Sequence, residues 1–217
     1  NMGYDKTPVF SPDGSMIAYS SMEEDGYESD LERLFVYNIA SGERKWVSQG
    51  WDYNVGNIQW NGSAEIWFTS AYLGRQPVFK ISLADGAVTK VTEGDYDMGP
   101  LQLRNNTLVA GIQSMARPTE VAKVDMAGGQ FSMITEVNGH IYESIKMGKS
   151  EERYIKTKDG KDLQMWIIYP PDFDPSKKYP ALLYCKGGPQ GPLGQSWNGR
   201  LPASPTCAGT PPRSAFW

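Results

Sequence analysis

Gly187-Gly188-Pro189 stand at the end of the apolar run Ala181-Leu182-Leu183-Tyr184-Cys185. A strand that runs into a glycine pair can present backbone N–H groups at a reaction centre, because glycine lets the backbone come close with no side chain in the way. The same residues can simply make a tight turn, and taken alone they leave both readings open. Other groups suited to chemistry are few. The single histidine, His140, lies well before this run, and Cys185 and Cys207 are the only thiols. Cys185, inside an apolar stretch, reads as a buried free thiol. No His or Cys spacing suits a metal, so neither a metal nor a cofactor is expected. No Gly-x-Ser-x-Gly elbow occurs, and a serine or cysteine without a base beside it is not activated for attack. The remaining candidates are acidic. Glu23 and Glu24 sit in a charged stretch, "SMEEDGYESDLERL" (21–34). One reading is a solvated loop. The sharper one has Glu23 or Glu24 reach into a substrate cavity and pair with a cationic amino terminus.

The elements that would position these groups are short strands. "PVFSPDGSMIAYSS" reads strand, turn, strand, with Ser11-Pro12-Asp13-Gly14 as a type I turn. "LFVYNIASGERKWVSQG" adds two strands around Ser41-Gly42. The four-strand phrase recurs with Asp85-Gly86 and again with Gly128-Gly129 at the second hairpin turn. Gly42, Gly86 and Gly129 are spaced 44 and 43 residues apart. Four short strands in about 40–45 residues mark a β-propeller blade. An open sandwich has no reason to repeat its turn chemistry at a fixed period. The stretch 21–34 falls between the second and third strands of the first unit. Three blades are fewer than the roughly 4–8 of a closed propeller, so further blades are expected before Asn1, and the opening Asn1-Met2 reads as internal to a longer chain.

The pattern changes near residue 140. "ERYIKTKDGKDLQMWIIYPP" reads as a hairpin around Asp159-Gly160 stopped by Pro170-Pro171. Ala181–Cys185, continuously apolar, reads as a strand buried on both faces of an α/β sheet. The fold class is therefore mainly β: a partial β-propeller of about three four-stranded blades (1–139), then the first strands of an α/β-hydrolase domain (140–197). An irregular tail (198–217) follows, with four prolines and no acidic residue. A reading-frame shift near Trp197 and a disordered tail both account for it. The net charge of −4, from 21 Lys and Arg against 25 Asp and Glu, and the lack of a basic stripe argue against a nucleic-acid partner. No apolar run approaches the about 18 residues of a membrane span, so no membrane partner is expected.

A propeller followed by "KDGKDLQMWIIYPPDFDPSKKYPALLYCKGGPQ" resembles the prolyl oligopeptidase family of serine peptidases, in its bacterial dipeptidyl and acylaminoacyl peptidase-like branch. The resemblance covers residues 4 to about 197. It implies an active site between propeller and hydrolase domain, short peptides as substrates, and a periplasmic or secreted location. It also implies that the N–H of Gly188, the second glycine of the motif, donates to the oxyanion. Lys186 replaces the family's common His. No nucleophile elbow is present, and His140 precedes the hydrolase strands. The chain alone is therefore expected to be inactive, as a fragment of a serine exopeptidase. The alternative is a propeller-type binding module with no chemistry.

Overall fold

The computed structural model describes residues 3–184 and 192–197. Twelve strands form three antiparallel sheets of four, each in simple up-and-down order. The first sheet holds β1 (Asp5–Phe10), β2 (Met16–Ser21), β3 (Arg33–Asn38) and β4 (Arg44–Trp46). The second holds β5 (Gly56–Asn61), β6 (Glu65–Thr69), β7 (Val78–Ser82) and β8 (Val88–Lys90). The third holds β9 (Asp97–Arg104), β10 (Thr107–Ser114), β11 (Arg117–Val124) and β12 (Phe131–Met133). Each sheet matches one repeat read from the sequence.

The turn chemistry explains the repeat. Gly42, Gly86 and Gly129 have φ of +72°, +72° and +70°, where a β-carbon is disfavoured. At Gly129 a β-carbon would also stand 1.8 Å from the Val91 carbonyl oxygen. In the first tight turn Gly14 N–H donates to the Ser11 carbonyl at 2.9 Å. Asp13 Oδ1 there accepts from the Ser15 N–H at 3.0 Å.

Alternation along the strands packs the sheets face to face. In β6, Ile66 and Phe68 enter a core shared with Leu34, Val36, Ile58 and Trp60. Trp67 between them points the other way, into a core with Met98, Leu101, Leu108 and Ala122. The second sheet is thus buried on both faces by its neighbours. The first strands lie side by side and run the same way: Asn57 lies beside Gly99, and Gln59 Oε1 accepts the Leu103 N–H at 3.3 Å. Trp60 Nε1 donates across to the Val9 carbonyl at 2.9 Å. This arrangement puts the β2–β3, β6–β7 and β10–β11 connections at one end of all three sheets. The separate, stacked, antiparallel sheets are those of a propeller-like architecture, mainly β.

After the third sheet comes one helical turn, α1 (Gly139–Tyr142), with His140 exposed on it. A two-stranded antiparallel sheet follows, β13 (Ser150–Lys156) and β14 (Asp162–Ile168). This is the hairpin expected around Asp159-Gly160. The expected buried strand differs. Residues 181–184 form no strand, and Leu182 and Leu183 are 73% and 83% exposed. A parallel strand is held by neighbours on both sides, and among the described residues none pairs with this run. Cys185, Lys186, Gly187 and Gly188 lie outside the described residues, as does the tail 198–217. No described helix is long and apolar enough to cross a membrane.

Candidate functional site

The shared loop end of the three sheets is where charged groups gather. The insertion expected within 21–34 joins β2 to β3 there. Its shape is set by Asp30, whose carboxylate is largely buried. Asp30 accepts the N–H groups of Glu23 and Glu24 on Oδ2 and of Leu31 on Oδ1. The Arg33 guanidinium adds bonds to both oxygens, at 3.2 and 3.1 Å. Burial alone raises the Asp30 pKa, but these donors outweigh it and hold the group well below the usual carboxylate range. The backbone at Glu23 and Glu24 is therefore fixed while their side chains stay free of the core. Glu23 is 76% exposed and lies 3.4 Å from Arg33 Nη2. Glu24 is exposed and has no ion-pair partner among the described residues. Both expected acidic residues thus stand together at the loop end. Gly188, outside the described residues, is not brought into relation with them.

The β6–β7 connection holds a second charged group. Arg75 Nη2 donates to Glu152 Oε2 at 2.8 Å, and its Nε donates to Asp95 Oδ1 at 2.7 Å. The guanidinium lies 4.9 Å over the Trp166 ring, a cation–π contact. Gln164 Nε2 donates to the Leu73 carbonyl at 2.9 Å and also bonds Glu152. Together these contacts dock the β13–β14 hairpin on the second sheet. The bond from Arg75, against the opposing effect of burial and with help from Tyr154 and Gln164, pushes Glu152 down to about 2. Its folded value lies below the ordinary 4.5, so the docking is favoured above that value and lost as pH falls towards 2. The Trp166 indole NMR signal is expected to hold its position from pH 7 to about 4.5 and to move towards the random-coil position between about 4.5 and 2. In Arg75→Ala it should sit near the random-coil position already at pH 7. A signal that ignores both changes would show that other contacts hold the hairpin.

The third group is on the third sheet. Asp97, the first residue of β9, is buried, and residues 194–197 fold back onto it. Burial pushes the Asp97 carboxyl up, against bonds from Ser196, Gln195 and Gln76. Sequence reasoning missed Asp30, Arg75 and Asp97. Isolated charges carry no spacing signal, and the contacts of Arg75 with Glu152 and of Asp97 with Gln195 and Ser196 span 77 to 99 positions. Among the described residues no group of three or more His, Cys, Asp or Glu is placed to hold a metal.

The fold is shared with peptidases. An acylaminoacyl peptidase in complex with Z-Gly-Gly-Phe-chloromethyl ketone superposes with a TM-score of 0.72 at 23% identity, covering 88% of this chain and 29% of that one. Dipeptidyl peptidase 4 of Porphyromonas gingivalis superposes at 0.60 with 19% identity, covering 91% of this chain and 29% of that one. No family model matches the sequence. Whole-sequence relatives carry the point further. Dipeptidyl-peptidase 5 of Porphyromonas gingivalis is 41% identical over 200 residues, 92% of this chain. The protein of the same name from Porphyromonas endodontalis is 38% identical over the same share. The chain spans 29% of the length of these curated relatives. The resemblance read from the sequence is borne out, and the chain belongs with peptidases of the prolyl oligopeptidase type.

Proposed function

We propose that this chain forms part of a serine exopeptidase of the dipeptidyl or acylaminoacyl type that hydrolyses short peptides. The observation that carries the reading is the 41% identity to a dipeptidyl-peptidase 5 across 92% of the chain. In this reading residues 1–139 are blades of the propeller, and 140–197 lead into the hydrolase domain. The propeller admits short peptides and excludes folded proteins. Acyl transfer uses a serine, histidine and aspartate that this chain does not supply. Its own contributions are two. The Gly188 N–H donates to the oxyanion of the tetrahedral intermediate, where a fixed donor meets developing charge. Glu23 and Glu24 take the substrate's α-ammonium group. Their support is local: a backbone locked by Asp30 holds two exposed carboxylates at the loop end.

The test uses the full-length peptidase that carries this segment, with paired chromogenic substrates that have a free or a blocked amino terminus. Glu24→Gln is expected to raise KM for free-amine substrates roughly 10-fold or more, the loss typical of a charge-assisted hydrogen bond. Blocked substrates should be unaffected. Glu23→Gln should act in the same direction more weakly, because Arg33 already engages Glu23. An equal change for both substrate classes would return the insertion to a solvated surface loop.

A further inference from the structure

The carboxylate that shapes the β2–β3 insertion also holds a cation. Asp30 Oδ2 takes the main-chain N–H groups of Glu23 and Glu24, the latter at 3.0 Å. Oδ1 takes the Leu31 N–H at 2.7 Å. The rest of its capacity goes to Arg33. One guanidinium nitrogen, Nη1, donates to both carboxylate oxygens, at 3.2 and 3.1 Å, and to the Leu31 carbonyl at 3.0 Å. The guanidinium also lies 5.7 Å over the Trp46 ring. Held this way, the Arg33 side chain is only 17% exposed, and its Nη2 stands 3.4 Å from Glu23 Oε2, farther than its contacts with Asp30.

A pin for the backbone does not require a charge, since an amide oxygen accepts N–H groups as well. The charge matters to Arg33. Two exposed carboxylates beside a guanidinium would otherwise draw it in, and a cation so placed repels an incoming ammonium group. Asp30 wins this competition because it is buried while Glu23 is exposed, and charge-assisted bonds are stronger away from water. Lys6, the cation at the other end of the insertion, is likewise taken up, by Glu32 at 2.9 Å. The carboxylates of Glu23 and Glu24 are thus left with little compensating charge.

We propose that Asp30 is a positioning residue for recognition of a free amino terminus: it holds Arg33 back from Glu23 and Glu24 and so keeps their charge for the substrate's ammonium group. The proposal rests on the ammonium-binding role given to Glu23 and Glu24 above. It adds a determinant of specificity that acts through its neighbours.

The experiment is a double-mutant cycle in the full-length peptidase that carries this segment. Asp30→Asn, Arg33→Gln and the two together are compared by KM for paired substrates with free and blocked amino termini. Asparagine can turn its oxygen to the Glu23 and Glu24 N–H groups but offers Arg33 no charge. The backbone pin therefore stays and the hold on Arg33 goes. Asp30→Asn is expected to raise KM for free-amine substrates roughly three- to fivefold, the scale of one exposed ion pair, with little change for blocked ones. Arg33→Gln alone should leave the free-amine KM no higher than native. Adding Arg33→Gln to Asp30→Asn should bring that KM back to near native, a rescue that a merely structural role for Asp30 would not give. A free-amine KM that stays raised in the double variant, or an equal rise for both substrate classes, would overturn the proposal and leave Asp30 as a backbone pin. Native KM in Asp30→Asn beside a Glu24→Gln variant that separates the two classes would also overturn it, with the ammonium reading standing. If Glu24→Gln and Asp30→Asn both treat the classes alike, both readings fall together.

Discussion

Gly188→Pro in the full-length peptidase is expected to lower kcat about 10²–10³-fold while substrate still binds, the loss seen when one oxyanion donor is removed. Proline has no N–H to offer. Binding should survive because the proposed anchors for the substrate's amino terminus, Glu23 and Glu24, lie on another element. Gly188→Ala is the companion variant. It keeps the N–H, so its loss should be well below that of the proline variant wherever the backbone tolerates a methyl group. Equal turnover in native and proline proteins would assign the motif to turn-making. Equal, large losses in both variants would mean that the space around the glycine matters, and not its N–H.

The second large effect concerns stability. Phe68→Ala should destabilise the chain by about 3–5 kcal/mol, the range for deleting a buried aromatic ring. Phe68 is fully buried. Its ring stacks on Phe79 at 5.7 Å between centroids and meets Trp51 edge-on at 6.2 Å. It also lies on the sheet that both neighbours use as a packing surface. The measurement is chemical denaturation of the native and variant chains under identical conditions. A loss below about 1 kcal/mol would show that the site collapses around the cavity.

The two kinds of expectation drew on different degrees of legibility. The blades were readable because their turns are local. Gly42, Gly86 and Gly129 must take positive φ within a few residues of polar turn formers, and that need is written into adjacent positions. Strand alternation was equally local, since Ile66 and Phe68 on one face and Trp67 on the other follow from a period of two. The insertion between β2 and β3 was visible as an interruption of the phrase. The site was less readable. Glu23 and Glu24 stood out by composition, but the residue that fixes their backbone, Asp30, looked like one more acid in a charged loop. Arg75 and Glu152 are 77 positions apart, and Asp97 and Ser196 are 99 apart. No turn rule or periodicity links residues so distant in sequence. The run Ala181–Tyr184 shows the opposite failure. Its apolar character invited a buried strand, yet a strand in a parallel sheet depends on partners that composition does not supply.

The parallel run of the first strands has a further consequence, for how such a molecule can change. The two ends of the sheets are not equivalent. At one end, tight turns with glycine in a left-handed conformation leave little room for added residues. Those turns are also stitched to one another, as where Ser63 donates to Asp13 at 2.9 Å. At the other end the connections differ in length, from two residues between β10 and β11 to eleven between β2 and β3, and the long one adds charge without entering either core. Length and charge can therefore vary at one rim while the opposite rim keeps the fold. A lineage of such proteins could remodel those loops with little loss of stability to compensate.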